Sequence, residues 1–279
     1  ALRTSEDLFV TGKAGTGNTT FLHDIRKNTT KNTIVAAPTG VAAINAGGIT
    51  LHSLFQLPFN AFLPTTQRVP AEFTNINTLF GNFKFGKAKL DLIKELELLI
   101  IDEVSMLRCD TLDAIDTILR TLRKNRNEPF GGVQLLLIGD LFQLPPVVKE
   151  EEWALLNDYY DTPFFFSAQV MKESNFHNIE FSRIYRQSDE KFIRLLNKVR
   201  NNEMTEDDFD ALNERYQPEI VTELEDFITL STHNVKVDRI NQQQLQKLEG
   251  EAYEFKAFIE GDFYENSYPT EANLVFKAG

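Results

Sequence analysis

An α/β fold built on a parallel sheet is predicted by three observations. Short apolar runs alternate with helical patterns over the first two-thirds of the chain, as βαβ units require. Leu96–Ile101 is a near-continuous apolar run, the mark of a strand buried on both faces, and Val133–Gly139 is a second. A glycine-rich segment, Gly12–Thr20, stands between a short strand and a helix.

The elements follow in order. Leu8–Thr11 reads as the first strand and Thr19–Lys27 as the first helix. Thr33–Ala37 is the second strand, broken by Pro38-Thr39-Gly40 before a short helix at Val41–Ala46. Leu107–Lys124 carries Leu112, Ile115, Ile118, Leu119 and Leu122 at helical spacing. Between Gln56 and Gly86 no period is sustained, so the segment reads as an insertion. Its Phe59, Phe62, Phe73, Phe80, Phe83 and Phe85, with Phe55, are expected to form a small cluster of their own; stacking on bases is the alternative. A second domain is expected from about Phe176, giving domains of 1–175 and 176–279. It holds helices at Lys191–Arg200 and Thr205–Glu214, a strand at Phe227–Ser231, a helix at Val235–Leu248, and strands and loops over Glu251–Gly279.

Composition narrows the function classes. A chain of 279 residues suits one large or two ordinary domains. No apolar run reaches the roughly 18 residues of a membrane span and no signal-peptide pattern is present, so no membrane partner is expected. One cysteine, Cys109, excludes an internal disulfide and suits a reducing compartment, with the cytoplasm as default. Four scattered His and that cysteine offer no zinc-ligand spacing. The net charge is −12, but residues 1–149 are net +2 and residues 150–279 net −14. A local groove can still bind nucleic acid, because counterion release counts contacted phosphates rather than total charge. The overall acidity argues against broad nonspecific binding.

Gly12-Lys13-Ala14-Gly15-Thr16-Gly17-Asn18-Thr19-Thr20 has the glycines of a phosphate-binding loop, in the strand–loop–helix context that the motif needs. The position that asks for lysine holds Asn18. The backbone N–H groups can still cradle phosphates, but the point charge is missing. An ordinary glycine turn is the bland alternative. Asp102 and Glu103 end the apolar strand at 96–101. Two carboxylates there are costly unless used. Asp102, with the Thr19 hydroxyl, suits the coordination of Mg2+ beside a nucleotide, and Glu103 suits the base that activates water. Solvated strand-end acids are the alternative. Val133–Gly139 delivers Asp140 and Gln143 to the same sheet edge, where ligands of doubly wound sheets sit. Gln143 can bond a γ-phosphate and a water, or simply cap a turn. In Ser182–Gln187, Arg186 rather than Arg183 is the candidate arginine finger, reaching from the second domain; a surface salt bridge is the alternative.

Taken together these segments resemble the Pif-type DNA helicases, superfamily-one motors related to RecD. Residues 37–53, Asp102–Met106, Gly139–Val147, Tyr185–Gln187 and 231–241 are similar to the family's successive motifs, in order and over nearly the whole chain. The resemblance implies two RecA-like domains, the second incomplete, with ATP between them and single-stranded DNA across the top. It implies a wedge subdomain at 56–86 acting at duplex junctions, 5′-to-3′ movement and a monomeric motor. Thr39, Gly40, His52 and Ser53 become candidates for the DNA track, with Thr232 and His233 in the second domain. Three departures stand out: Asn18; an end at Gly279 before the family's last motifs; and the lack of a glutamine-bearing adenine segment before Leu8. They imply a fragment with weak or absent unwinding. A nucleotide- or DNA-binding module that does not hydrolyse ATP is the alternative function. Substitution of the missing charge by Lys13 is a third reading.

Overall fold

In the computed structural model, residues 4–81, 85–216, 228–259 and 271–278 are described. They fall into two compact units that divide between Glu203 and Met204. Unit 1 is a parallel sheet with helices on both faces. Its strands are β1 (Asp7–Gly12), β2 (Thr33–Ala37) and β3 (Ile49–Thr50), a separate pair β4 (Phe62–Leu63) and β5 (Thr74–Asn75), and then β6 (Leu98–Ile101), β7 (Gln134–Ile138) and β8 (Phe176–Phe181). The main sheet has the order β3-β2-β6-β7-β1-β8, with every neighbouring pair parallel. The helices of this unit are α1 (Asn18–Asn28), α2 (Gly40–Asn45), α3 (Leu51–Phe55), α4 (Lys87–Glu95), α5 (Cys109–Leu122), α6 (Glu150–Leu156) and α7 (Glu190–Asn201). No described helix is long and apolar enough to cross a membrane.

The central strands divide their side chains by twos between the faces. Leu98, Ile100, Leu136 and Ile138 join Leu8 and Val10 in packing on Leu22 and Ile25 of α1. Leu99, Ile101, Leu135 and Leu137 pack on Leu112, Ile115, Ile118 and Leu119 of α5. The runs are apolar because both faces are covered, which is the physical content of the sequence signal.

α5 also carries three acids at spacing three, Asp110, Asp113 and Asp116, all buried. Each anchors a loop. Asp110 accepts the Phe62 N–H at 3.0 Å, and Asp116 accepts that of Phe130 at 2.6 Å. Asp113 accepts the N–H groups of Gln169 at 2.9 Å and Val170 at 3.0 Å. Asp113→Ala leaves both donors without a partner in a dry site. The expected loss is about 3 kcal/mol of unfolding free energy, read by urea denaturation, with Asp113→Asn losing less because it keeps one acceptor. An unchanged midpoint for the alanine variant would show that these loops do not depend on the carboxylate.

Three expectations change. The phenylalanines of the 56–86 segment do not form a cluster of their own. Phe55 and Phe62 are buried in the α5-side core, and Phe73, Phe80 and Phe85 pack against it. Joining the large core removes more apolar surface from water than a separate cluster would. Phe59 instead is exposed and stacks on His52, and Phe83 lies outside the described residues. Phe176, where a second domain was expected to begin, opens β8, which pairs with β1 along its whole length. The compact unit therefore continues to Glu203. Of the strand expected at 227–231, Phe227 lies outside the described residues, and 228–231 has no strand partner among the described residues, with Ile228 and Leu230 exposed.

Unit 2 contains α8 (Glu206–Asn213), α9 (Asn234–Lys247) and an antiparallel pair, β9 (Ala252–Lys256) with β10 (Asn273–Lys277). Thr205 and Asp208 form a reciprocal cap at the start of α8. Phe255 and Phe276 meet edge to face across the β9–β10 pair.

Candidate functional site

The strand order decides the site. β2, β6, β7, β1 and β8 are consecutive neighbours, and each hands a candidate segment to the same carboxyl-end edge. β1 runs into the glycine loop, β6 into Asp102 and Glu103, β7 into Asp140 and Gln143, β8 into Arg186, and β2 into Thr39 and Gly40. Residues scattered over about 175 positions become one ridge.

In the loop, Gly15 (φ 82°) and Gly17 (φ 97°) adopt left-handed backbone, which an L side chain strains to reach. Gly15 also lies against a neighbour: a Cβ there would stand 2.6 Å from the Cβ of Arg186. The Gly15 carbonyl accepts the Tyr185 N–H at 2.8 Å. Lys13 holds the turn through its carbonyl, which accepts both the Thr16 N–H at 3.1 Å and the Thr16 hydroxyl at 2.8 Å. Gly17 caps α1, so the free N–H groups of the first helical turn open beside Asn18, Thr19 and Thr20. Ala14, Thr19 and Thr20 are exposed. The cradle fits a phosphate. The lysine's place does not match it fully, because the Asn18 Oδ1 is a buried acceptor with no hydrogen-bond partner among the described residues.

Across the edge stand the acids. Burial pushes the Asp102 carboxyl above its ordinary pKa, against the Glu103 N–H and His23, which pull it down. Burial also raises Glu103, and the carboxylates of Asp102 and Asp140 add to the rise. Glu103 itself is held at φ 52°, an uncommon conformation for glutamate. Gly139 permits this crowding, since a Cβ there would stand 2.9 Å from the Val104 nitrogen. Asp140 organises its own loop. Its Oδ1 accepts the Phe142 N–H at 3.1 Å, and its Oδ2 accepts the Gln143 side-chain amide at 3.3 Å. Arg200, from the last turn of α7, makes an ion pair with the same Oδ2.

Arg186 lies in unit 1, with its Cβ at the loop, rather than in a separate second domain. The pairing of β8 with β1 brings it there. Tyr185 beside it presents a ring that is 68% exposed, with the Arg183 guanidinium 5.1 Å from its centre.

The remaining candidates of unit 1 lie on and around α2 and α3. The Thr39 hydroxyl caps α2 by accepting the Ala42 N–H at 3.3 Å, and Gly40 is open to solvent. His52 stacks on Phe59 with ring centres 5.6 Å apart, and burial holds its pKa down. Ser53 is exposed at the side chain while its carbonyl accepts from Lys89. In unit 2 the Thr232 hydroxyl lies 2.8 Å from the His233 Nδ1, both exposed at the start of α9.

The sequence model of the PIF1-like helicases matches residues 2–210. The chain belongs to the PIF1-like helicase family. Among curated relatives, the ATP-dependent DNA helicase PIF1 of Saccharomyces cerevisiae is 32% identical over 269 residues, covering 93% of this chain and 28% of that protein. The ATP-dependent DNA helicase Pif1 of a Psychrobacter species is 31% identical, covering 100% and 41%. Among solved structures, Bacteroides Pif1 helicase in complex with ADP-AlF3 and ssDNA matches at 43% identity with a TM-score of 0.83, over 99% of this chain and 61% of that one. The Pif1 helicase of Candida albicans matches at 30% identity and 0.78. The fold is thus the RecA-like α/β fold of Pif1 helicases, and the chain spans only part of the length of these relatives.

Two features of this PIF1-like site escape sequence reading. Arg200 lies 60 positions from Asp140, and no local pattern links them. Tyr185 stands within a segment read for its arginines, and only the bond from its N–H to Gly15 places its main chain at the loop.

Proposed function

We propose that this chain is the nucleotide-binding core of an ATP-dependent DNA helicase. It moves 5′ to 3′ on single-stranded DNA, acts at duplex junctions, and works as a monomer whose turnover is slowed by Asn18. The observation that carries this is the convergence of five adjacent strand ends on one edge, with phosphate cradle, paired acids, glutamine and arginine all present. Family membership and the complex of Bacteroides Pif1 with ADP-AlF3 and ssDNA support the same reading. Residues 56–86 serve as the wedge, and residues 204–279 belong to the second RecA-like domain.

The bound Mg2+–ATP supplies the phosphoanhydride bond whose hydrolysis drives the cycle. The chain's own residues do the rest. Loop N–H groups over Gly15–Thr20 hold phosphate oxygens, as oriented backbone dipoles do without cost in side-chain order. The Thr19 hydroxyl and Asp102 would hold Mg2+, which keeps several waters and so would need no larger cluster of protein ligands. Glu103 takes a proton from the attacking water, Gln143 orients that water, and Arg186 offsets the charge that develops. The exposed Tyr185 ring offers a flat face to the base. Thr39, Gly40, His52 and Ser53, with Thr232 and His233, contact DNA phosphates, so binding is indifferent to sequence.

The test is binding of a fluorescein-labelled oligo-dT, followed by anisotropy as salt is raised. Affinity is expected to fall linearly on a log–log plot, with a slope of about −0.7 per phosphate neutralised. An oligo-dA of equal length should bind about as well, since backbone contacts carry little sequence information. Failure of the chain to bind either oligonucleotide would remove the proposed DNA track.

A further inference from the structure

We propose that Arg200 is a positioning residue of the nucleotide site: it fixes the Asp140–Gln143 loop and ties that loop's state to α7, the last helix of unit 1. The proposal rests on the hydrolytic reading above.

Five contacts carry it. The Arg200 guanidinium pairs with the Asp140 carboxylate, and the two side chains are only 14% and 2% exposed. Such a pair is little screened, and removing one partner leaves an uncompensated buried charge. The guanidinium also lies 4.3 Å from the centre of the Phe142 ring, a ring otherwise largely exposed. Asp140 in turn accepts from the Phe142 N–H and from the Gln143 side chain. The Gln143 N–H donates to the Asp140 carbonyl at 2.9 Å. One arginine therefore grips both Asp140 and Phe142, and the next residue is the glutamine proposed to orient water.

The grip suits arginine specifically. A planar guanidinium can meet a carboxylate at its edge and a ring at its face, which an ammonium cannot do in one pose. It also brings a positive charge to an edge where Asp102, Glu103 and Asp140 gather. At its other end the link reaches α7, which buries no residue of its own and ends two residues before the boundary with unit 2. Because the Gln143 amide and Arg200 share one oxygen of Asp140, Gln143 cannot change partner without disturbing the Arg200 contact. A change at the nucleotide is thereby felt at α7.

The experiment uses the full chain with Asn18→Lys as parent, and Arg200→Ala, Arg200→Lys and Asp140→Asn built on it. ATP turnover, affinity for a fluorescent ADP, thermal midpoint and amide hydrogen exchange over 190–201 are measured. Arg200→Ala is expected to lower kcat by about tenfold to a hundredfold, the scale of a misplaced catalytic group. KM and ADP affinity should stay within about twofold, since ground-state binding is untouched. Addition of ADP should change exchange in α7 of the parent but not of Arg200→Ala. Arg200→Lys should recover part of kcat, and Asp140→Asn should resemble the alanine variant. Unchanged kcat in Arg200→Ala, a fall in kcat that only follows lost folded protein, or α7 exchange indifferent to ADP in the parent would each overturn the proposal. A parent that does not bind ADP overturns the nucleotide-site reading and this one with it, and is recognised because the parent itself fails.

Discussion

Asn18→Lys is expected to raise ATP turnover about a hundredfold, since one preorganised group facing developing charge is typically worth 10²–10³ in rate. The rest of the cradle is in place. Gly15 and Gly17 have the required left-handed backbone, and Gly17 caps an eleven-residue helix. What stands at the key position is a neutral amide whose oxygen is buried without a partner among the described residues. The amide brings no charge to phosphate oxygens, where lysine would bring one. The Lys13 carbonyl accepts from the Thr16 N–H and hydroxyl and so shapes the turn. A coupled ATPase assay with and without oligo-dT gives the answer. No gain from lysine would mean that the charge at position 18 does not limit the reaction. Rapid turnover by the unmodified chain would mean that it is not needed.

Glu103→Gln, in the same lysine background, is expected to lower kcat by about 10²–10⁴, the range for removal of a positioned base. ADP binding should persist, because the phosphate cradle belongs to another loop. Burial and two carboxylate neighbours push the Glu103 pKa up, which makes it a stronger base than a solvated glutamate. The same crowding makes it costly to the fold. Glutamine removes a half-buried charge next to Asp102 and Asp140 while keeping the shape, so the thermal midpoint should hold or rise. Loss of activity together with loss of stability would point to a structural glutamate. Full activity in Glu103→Gln would move the base elsewhere on the edge.

Much of the fold is legible in the sequence. β2 ends and starts where the apolar run does, at Thr33 and Ala37, and α1 and α7 match their expected spans to within a residue or so at each end. Asp102 and Glu103 announce themselves as charge directly after a buried strand. Less was legible where burial is thin or long-range. α4 buries only Ile93, too few contacts to set a period, and it has no counterpart in the sequence reading. The phenylalanines of 56–86 are equally apolar whether they cluster alone or join the α5-side core, so composition cannot separate the outcomes. Arg186 reads as belonging to a second domain because nothing local shows that β8 pairs with β1.

The sequence by itself determined the fold class, the family motifs and which residue types stand at each strand end. These are local properties: a strand covered on both faces must be apolar throughout, and a loop that cradles phosphate needs glycine where φ is positive. Only the tertiary structure decided which ends are neighbours, that Arg186 and Tyr185 lie on the phosphate loop, and that Arg200 grips Asp140 and Phe142. Hydrogen bonding between strands distant in the chain sets those relations, and its register is written in no single segment.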